Sequence, residues 1–535
     1  MDAVTPCPEA TEIEYKFLMA EPGAKNAVLD LLRSKGYRVT PLRAVHQQDL
    51  YLDTFDWRLL RNGLSLRLRR AGDTAIYGIK SLGKLEEGRA ERREVEVRVK
   101  GDAADPTAVT DRRIRAEIDP IIHPRRLLVQ VAVRTERIPY RLRCPEGAQV
   151  ELVFDTTGFS AQGMNRSRRA QRLYEMEAEL KKGSPADLEA LGRLLSGCTG
   201  LSPSRQSKLE TAIERLGIVF PTKNPPAPQR VALEDRLDVA VQKILSFQFH
   251  RIEENLPGVQ ADLDTEFVHQ ARVATRRMRS ALRLFRKAIP ERASADLAED
   301  LSWLGALFGG VRDLDVFLLN LPGATATVAK APERAVAILT RHIEQRRACL
   351  LSDLLNGLAS PRYRRFQARL SAYTGRPPAK RPAAPLALTP VHTFASGRIP
   401  ELFQAVLAQG RKVLAKPKLR NFHRLRIEFK RLRYACEFVA PAYGDALKPF
   451  IGETVKIQDC LGELQDTVFT RSLIDGLLDE WKGNVIAPRL LFLFGELYEL
   501  QGELARSRQA AFRDIWARFD RETTAAELAA GLKQS

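Results

Sequence analysis

The sequence predicts an α+β protein: an N-terminal antiparallel β-barrel with flanking helices, followed by an all-α domain made of a duplicated helical bundle. Three observations predict it. Charged and apolar residues alternate in short segments before residue 217. A proline-rich stretch at 220–228 can neither continue a helix nor join a central strand. Beyond it, long segments rich in Ala, Leu and Arg show helical periodicity, and one basic motif occurs twice. The expected organisation is an N-terminal domain at 1–217, a proline-rich linker at 218–230 and a helical domain at 231–535. The helical domain divides into halves at about 231–375 and 391–535, joined by a basic proline-rich loop around 376–382.

In a strand, residues two apart share a face. Glu12, Glu14 and Lys16 therefore share one face, and Ile13, Tyr15 and Phe17 the other. Ser65, Arg67 and Arg69 alternate with Leu64, Leu66 and Leu68. Glu94, Glu96, Arg98 and Lys100 alternate with Val95, Val97 and Val99. Glu151 and Asp155 share a face, and Glu175, Glu177, Glu179 and Lys181 alternate with Met176, Ala178 and Leu180. One such strand is an ordinary solvent-facing strand. Several in one domain predict a closed sheet with its charged faces inward and its apolar faces packed on helices at 24–35 and 187–195.

A wet tunnel of that kind has a definite chemistry. Rings of Arg and Lys neutralise phosphate oxygens, Arg often by bidentate contact. Clustered carboxylates repel one another and favour hard divalent cations, which bridge carboxylates to phosphates. No phosphate-cradling glycine loop and no nucleophilic Cys or Ser motif occurs here, so hydrolysis would use direct attack by water.

The net charge of +19 and pI of about 9.8 favour polyanionic ligands over other classes. Six scattered cysteines without zinc spacing predict reduced thiols and a cytoplasmic setting. No secretory signal and no apolar run of membrane-spanning length is present, so no membrane partner is expected. The sequence carries no signal for oligomeric state.

Six motifs in order over the first part resemble the CYTH domain family, the triphosphate tunnel metalloenzymes. Glu12-Ile13-Glu14-Tyr15-Lys16 resembles the E-x-E-x-K signature. Asp49-Leu50-Tyr51-Leu52-Asp53-Thr54, Leu66-Arg67-Leu68-Arg69 with Lys80, Arg93-Glu94-Val95-Glu96, Glu175 to Lys181, and Ser207-Lys208 resemble the remaining motifs. The resemblance implies that Glu12, Glu14, Asp155, Glu177 and Glu179 hold divalent cations, Mg²⁺ or Mn²⁺. It implies that Lys16, Arg67, Arg69, Lys80, Arg137 and Lys208 bind triphosphate, with Arg134 lying close to Arg137 in sequence. Glu94 and Glu96 would line the tunnel. Lys16, Glu12 and Glu14 would form the catalytic centre, with Lys16 positioning a water. Family members act on inorganic triphosphate or thiamine triphosphate, or cyclise ATP.

In the second part His269-Gln270-Ala271-Arg272-Val273-Ala274-Thr275-Arg276-Arg277-Met278-Arg279 aligns with His423-Arg424-Leu425-Arg426-Ile427-Glu428-Phe429-Lys430-Arg431-Leu432-Arg433. A downstream echo aligns Phe308 to Asp313 with Leu461 to Asp466, the second copy carrying Gln465 where the first has Arg312. On a helix, His269, Arg272, Arg276, Arg279 and Arg283 fall within an arc of roughly 80°. His423, Arg426, Lys430 and Arg433 form the same stripe. Like charges at this spacing destabilise a helix unless a polyanion or partner acids neutralise them, and Asp313, Asp315 and Asp466 are available as such partners. Aromatic residues are sparse on the stripes, which disfavours nucleic acid as the ligand. Histidine would add charge below about pH 6.5. The repeat resembles the CHAD domain, a duplicated helical bundle that binds inorganic polyphosphate and in some members sits on polyphosphate granules. The pairing with a tunnel domain implies an inorganic triphosphatase. A cyclase or thiamine triphosphatase, and a non-catalytic polyphosphate scaffold, stay open as alternatives.

Overall fold

The structure is a computed structural model that describes residues 10–72, 74–82, 89–99, 105–161, 172–219, 230–328, 332–481 and 487–533, with only the backbone of 10–12 and 90–93. The chain forms two compact units that divide between Pro226 and Ala227.

The first unit contains, in order, β1 (Ala10–Met19), α1 (Ala24–Ser34), β2 (Arg38–Pro41), β3 (Val45–Asp53), α2 (Arg58–Arg61), β4 (Leu64–Ala71), β5 (Thr74–Ser81) and β6 (Arg89–Val99). There follow α3 (Arg112–Ile122), β7 (Leu128–Arg143), β8 (Gln149–Ala161), β9 (Leu173–Lys182), α4 (Pro185–Ser196), β10 (Leu201–Pro203) and α5 (Lys208–Leu216). The strands join one sheet in the order β10-β1-β6-β5-β4-β3-β7-β8-β9, with β2 on β7. All strand pairings among the described residues are antiparallel, and β1 pairs with part of β9 as well as with β6 and β10.

The expected closed barrel is corrected here: among the described residues the sheet is staggered and is not a closed barrel. Residues 89–94 of β6 pair with β1, whereas residues 94–99 pair with β5, and only Glu94 is common to both. β1 divides in the same way, with residues 10–15 on β6 and 14–18 on β9. Strands that hand over partners along their length leave a splayed wall.

The apolar faces point outward as the alternation predicts. Phe17, Leu152, Phe154, Met176 and Ala178 pack with Val28, Leu29 and Leu32 of α1 and with Leu188, Leu191 and Leu195 of α4. Leu66, Leu68, Ile79, Val95 and Val97 pack with Ile114, Ile118 and Ile122 of α3. Helix α5 behaves differently. Its Leu209, Ala212, Ile213 and Leu216 cover Tyr51, Val131, Val133, Phe159 and Leu173, which share strand faces with the charged inner residues. An apolar helix thus plugs one end of the enclosed space.

The second unit is helical. Its first half contains α6 (Leu237–Glu253), α7 (Leu256–Gln260), α8 (Thr265–Leu284), α9 (Glu291–Thr327), α10 (Glu333–Ala359) and α11 (Pro361–Thr374). Its second half contains α12 (Val391–Ala415), α13 (Leu419–Tyr443), α14 (Lys448–Glu480), α15 (Pro488–Phe519) and α16 (Glu522–Lys533). The duplication is structural as well as sequential: α8 packs on α6 and α9 as α13 packs on α12 and α14. α8 also meets its counterpart α13, and α10 its counterpart α15, as a pseudo-twofold arrangement requires.

No helix among the described residues is long and apolar enough to cross a membrane. The five described cysteines are free thiols.

Close approach sets one strong constraint in the second half. Gly410 on α12 lies against Trp516, whose indole is fully buried, and a Cβ at 410 would overlap the ring. Gly410→Ala is expected to destabilise the chain by about 3 kcal/mol through overpacking, seen as a lower midpoint in urea.

Candidate functional site

A cavity of about 240 Å³ opens inside the sheet, and every strand from β3 to β9 together with β1 and α5 faces it. Register explains its lining. Glu14 on β1 stands opposite Glu179 on β9, and Glu179 stands opposite Glu151 on β8, so three carboxylates form one row across adjacent strands. All three line the cavity. Like charges directly opposite one another destabilise a sheet unless something neutralises them. Lys181 does so in part, reaching Glu151 at 3.4 Å and also contacting Glu179.

Two groups of cations flank the cavity. On one side, Arg67 donates to Glu94 at 3.0 Å and reaches Glu96 at 3.5 Å, while Lys80 meets Glu94 at 2.9 Å. Arg69 grips Asp49 through two bonds of 2.8 and 3.1 Å. Gly78 leaves space for this group: a Cβ there would stand 3.4 Å from Arg67 Nε. On the other side, Lys16, Arg137 and Lys208 surround Asp155 and Glu177. Lys208 is delivered by a capping box in which the Ser207 hydroxyl accepts from the Glu210 N–H and Glu210 accepts from the Ser207 N–H. The Ser-Lys motif is therefore a helix start that aims its first side chain inward.

These pairs shape the titration of the site. Burial opposes the charge on Lys16, but the Glu177, Glu175 and Glu14 carboxylates hold its ammonium above the usual lysine range. Burial would raise Glu177, yet Lys16, Lys208 and Arg137 hold it well below the usual carboxylate range. Burial likewise works against Asp49, and Arg67 and Arg69 bring it down to about 2. Glu175 goes the other way: burial pushes it up, and neither oxygen has a hydrogen-bond partner.

In the helical unit, α8 and α13 bring four cations together. Burial and repulsion from Arg426, Arg276 and Arg272 push Lys430 down to about 7, against the attraction of Asp466. Burial and repulsion from Arg276 and Arg272 likewise depress Arg426. Arg272 donates to Asp313 at 2.8 Å. The histidines differ between halves: His423 Nδ1 lies 2.8 Å from Gln465 Oε1, whereas Arg312 occupies the equivalent place near His269. Burial and Arg312 lower the His269 pKa, so this imidazole gains charge at lower pH than the expected 6.5.

The CYTH domain family matches residues 10–213 and the CHAD domain family residues 243–475. The chain is a CYTH domain joined to a CHAD domain. The uncharacterised protein Rv2226 of Mycobacterium tuberculosis strain H37Rv is 26% identical over 479 residues, covering 85% of this chain and 86% of that protein. Among solved structures, the CHAD domain of Ricinus communis is 26% identical, covering 54% of this chain and 96% of that one, with a TM-score of 0.44. HpAC1 of Hippeastrum, an adenylyl-cyclase-type protein described as having a dominant triphosphatase activity, is 23% identical with a TM-score of 0.29. It covers 40% of this chain and all of that one (100%).

In the CYTH domain, Glu14, Lys16, Arg67, Arg69, Lys80, Glu94, Glu96, Arg137, Glu177, Glu179 and Lys208 all line the one cavity. Arg137, not the exposed Arg134, faces it. The side chain of Glu12 lies outside the described residues. Asp155, expected among the metal ligands, is 1% exposed and is engaged by Arg137 and Lys208. Sequence reasoning left Asp49, Tyr51, Glu151 and Glu175 without roles. Asp49 and Tyr51 lie in a quoted motif, and Glu151 shares the face of Asp155, so the signal was present. Asp53 and Thr54 of that motif are structural: Asp53 accepts the Thr54, Leu59 and Leu60 N–H groups and fixes the turn into α2.

Among the described residues no three potential ligands are gathered around one point to hold a metal. The donor chemistry nevertheless fits a hard divalent cation, because Glu14, Glu179 and Glu151 offer adjacent carboxylate oxygens to the same cavity.

In the CHAD domain the structure brings Arg272, Arg276, Arg426 and Lys430 together, with His269 and His423 beside Arg312 and Gln465. Three stripe residues do not join them. Arg433 is tied to Glu437 at 2.6 Å and to Gln458 at 3.1 Å. Arg283 lines a separate groove against α12, and both Arg279 and Arg283 line a hollow beside α9. The two helices stay in contact past these positions, through Arg277 on Glu437 and Phe285 on Phe438, so it is other partners and not a lost contact that draw these arginines away.

Proposed function

We propose that the CYTH domain hydrolyses inorganic triphosphate to pyrophosphate and phosphate with Mg²⁺ or Mn²⁺, and that the CHAD domain binds inorganic polyphosphate. One observation carries the first part: seven cations and a row of carboxylates face a single cavity of about 240 Å³. That volume lies below the range of roughly 300–1,000 Å³ typical of sites for larger organic ligands. A short inorganic chain suits it better than ATP or thiamine triphosphate.

Arg67, Arg69 and Lys80 would hold one end of the chain, and Lys16, Arg137 and Lys208 the other. Glu14, Glu177 and Glu179, with Glu12, would hold the divalent ion. When bound, that ion neutralises phosphoanhydride charge and favours ionisation of an attacking water. Lys16 would orient that water from its position beside Glu177. Phosphate release should be measured from tripolyphosphate, thiamine triphosphate, ATP and long-chain polyphosphate with each metal. Release from tripolyphosphate in preference to the others is expected. Silence on tripolyphosphate while ATP yields cyclic AMP would establish a cyclase instead.

The CHAD part rests on the Arg272, Arg276, Arg426 and Lys430 cluster. Its pH dependence has a definite sign. Lys430 loses its proton as pH rises through about 7, well before an ordinary lysine, so the empty site loses charge there. A bound polyanion favours the protonated form, so binding takes up a proton above pH 7. Polyphosphate affinity is expected to fall from pH 7 to 9.5, and less steeply in Lys430→Arg, whose guanidinium stays charged. His269 is neutral across that range, and the acids nearby (Asp313, Asp315, Glu463 and Asp466) are common to both proteins. Parallel pH profiles would remove Lys430 from the site.

A further inference from the structure

Three cations from three elements converge on one carboxylate. Lys16 Nζ stands 2.8 Å from Glu177 Oε1, and Lys208 Nζ stands 3.0 Å from the same oxygen. Arg137 Nη2 lies 2.7 Å from Glu177 Oε2. Both oxygens are engaged, and the side chain is 11% exposed at the cavity wall. This is the set of contacts a phosphate group would receive: two ammonium groups and a guanidinium on a compact anion. The neighbouring acids do not share this position. Asp155 is buried behind Arg137 and Lys208, Glu175 is hydrogen-bonded to none of the three, and Glu179 pairs with Lys181 nearer the edge.

We propose that Glu177 is an internal competitor of the substrate, standing in for one phosphate group on Lys16, Arg137 and Lys208 until a divalent ion takes the carboxylate and releases these cations. The inference rests on reading the tunnel as a triphosphate site. It goes further, because it gives one residue two opposed roles. A carboxylate that only bridges metal to phosphate contributes when the metal is present and occupies no phosphate-binding cation when it is absent. A competitor helps only when the metal holds it and hinders otherwise. Linkage then makes metal and triphosphate raise each other's affinity by the same factor.

The test is calorimetric titration of the full chain, stripped of metal with EDTA, with tripolyphosphate. The heat abolished by Arg67→Ala defines the tunnel's share and separates it from the CHAD domain. Glu177→Gln keeps the shape and removes the charge. It is expected to bind tripolyphosphate about tenfold more tightly than the native chain without metal, and to lose the strengthening that Mn²⁺ brings to the native chain. Metal-free affinity equal to or weaker than native would overturn the proposal. If Glu177→Gln lacks a native melting transition, Glu177→Asp, which withdraws the carboxylate by one methylene, must shift affinity in the same direction. Phosphate release is read separately. Tighter metal-free binding without turnover in any variant would refute hydrolysis and leave the competitor intact. Absence of tunnel heat in every variant would overturn both.

Discussion

Arg137→Ala should lower kcat/KM for tripolyphosphate by about 10²–10³-fold, the range for loss of a preorganised charged donor at a developing negative charge. Arg137 makes two bonds to Asp155 and one to Glu177, so it is already oriented before ligand arrives. Burial disfavours its charge, but Glu177 and Asp155 hold the guanidinium above its usual range. Removal leaves those acids with Lys208 as their shared cation, so the melting temperature should fall as well. Arg137→Lys should recover the charge but not the two-bond grip on Asp155, leaving an intermediate rate. Arg134→Ala is the internal control. Arg134 is exposed on the opposite strand face, and its loss should leave turnover within twofold of native. A large loss in Arg134→Ala with little in Arg137→Ala would reverse the assignment.

Arg276→Ala combined with Arg426→Ala should weaken long-chain polyphosphate binding by about a hundredfold and reduce the salt dependence of binding by between one and two charges. The same pair should stabilise the unliganded protein. Burial and repulsion from Arg276 and Arg272 already depress Arg426, so the cluster is held together against its own charge. A site kept at a cost in stability for the sake of a ligand is the pattern expected of function. Arg433→Ala is the contrast, because Glu437 and Gln458 already occupy its guanidinium. It should change polyphosphate affinity little. Equal losses from Arg433→Ala and from the Arg276 and Arg426 pair would mean the ligand follows the whole stripe.

Much of this was legible in the sequence, because alternation and helical periodicity are local properties of the chain. The charged faces of β1, β4, β6 and β9 point inward as their period of two requires. β7 was the ambiguous strand, and the reason is physical. Its Val131 and Val133 share the inner face with Arg137, since α5 fills that end of the cavity with apolar side chains. An apolar residue on β7 therefore does not mark the outside, and Arg134 and Arg137 could not be told apart by pattern. The three unabsorbed arginines of the CHAD stripes have a similar origin. A stripe is defined on one helix, but which of its cations join a cluster depends on the partners that neighbouring helices offer, as Glu437 and Gln458 do for Arg433.

The sequence by itself determined which residues exist in chemical pairs: acids and bases on alternate strand faces, and two copies of a basic helix. Only the tertiary structure decided which acid meets which base. It aligned Glu14, Glu179 and Glu151 in one row, sank Asp155 behind two cations and aimed three cations at Glu177. Those choices depend on strand register and on the packing of α5, which bring together residues from tens of positions apart, as Lys208 and Asp155 are, to more than a hundred, as Lys16 and Glu177 are. No local pattern encodes such distances, because the energy that selects them comes from burial and charge pairing across the whole unit.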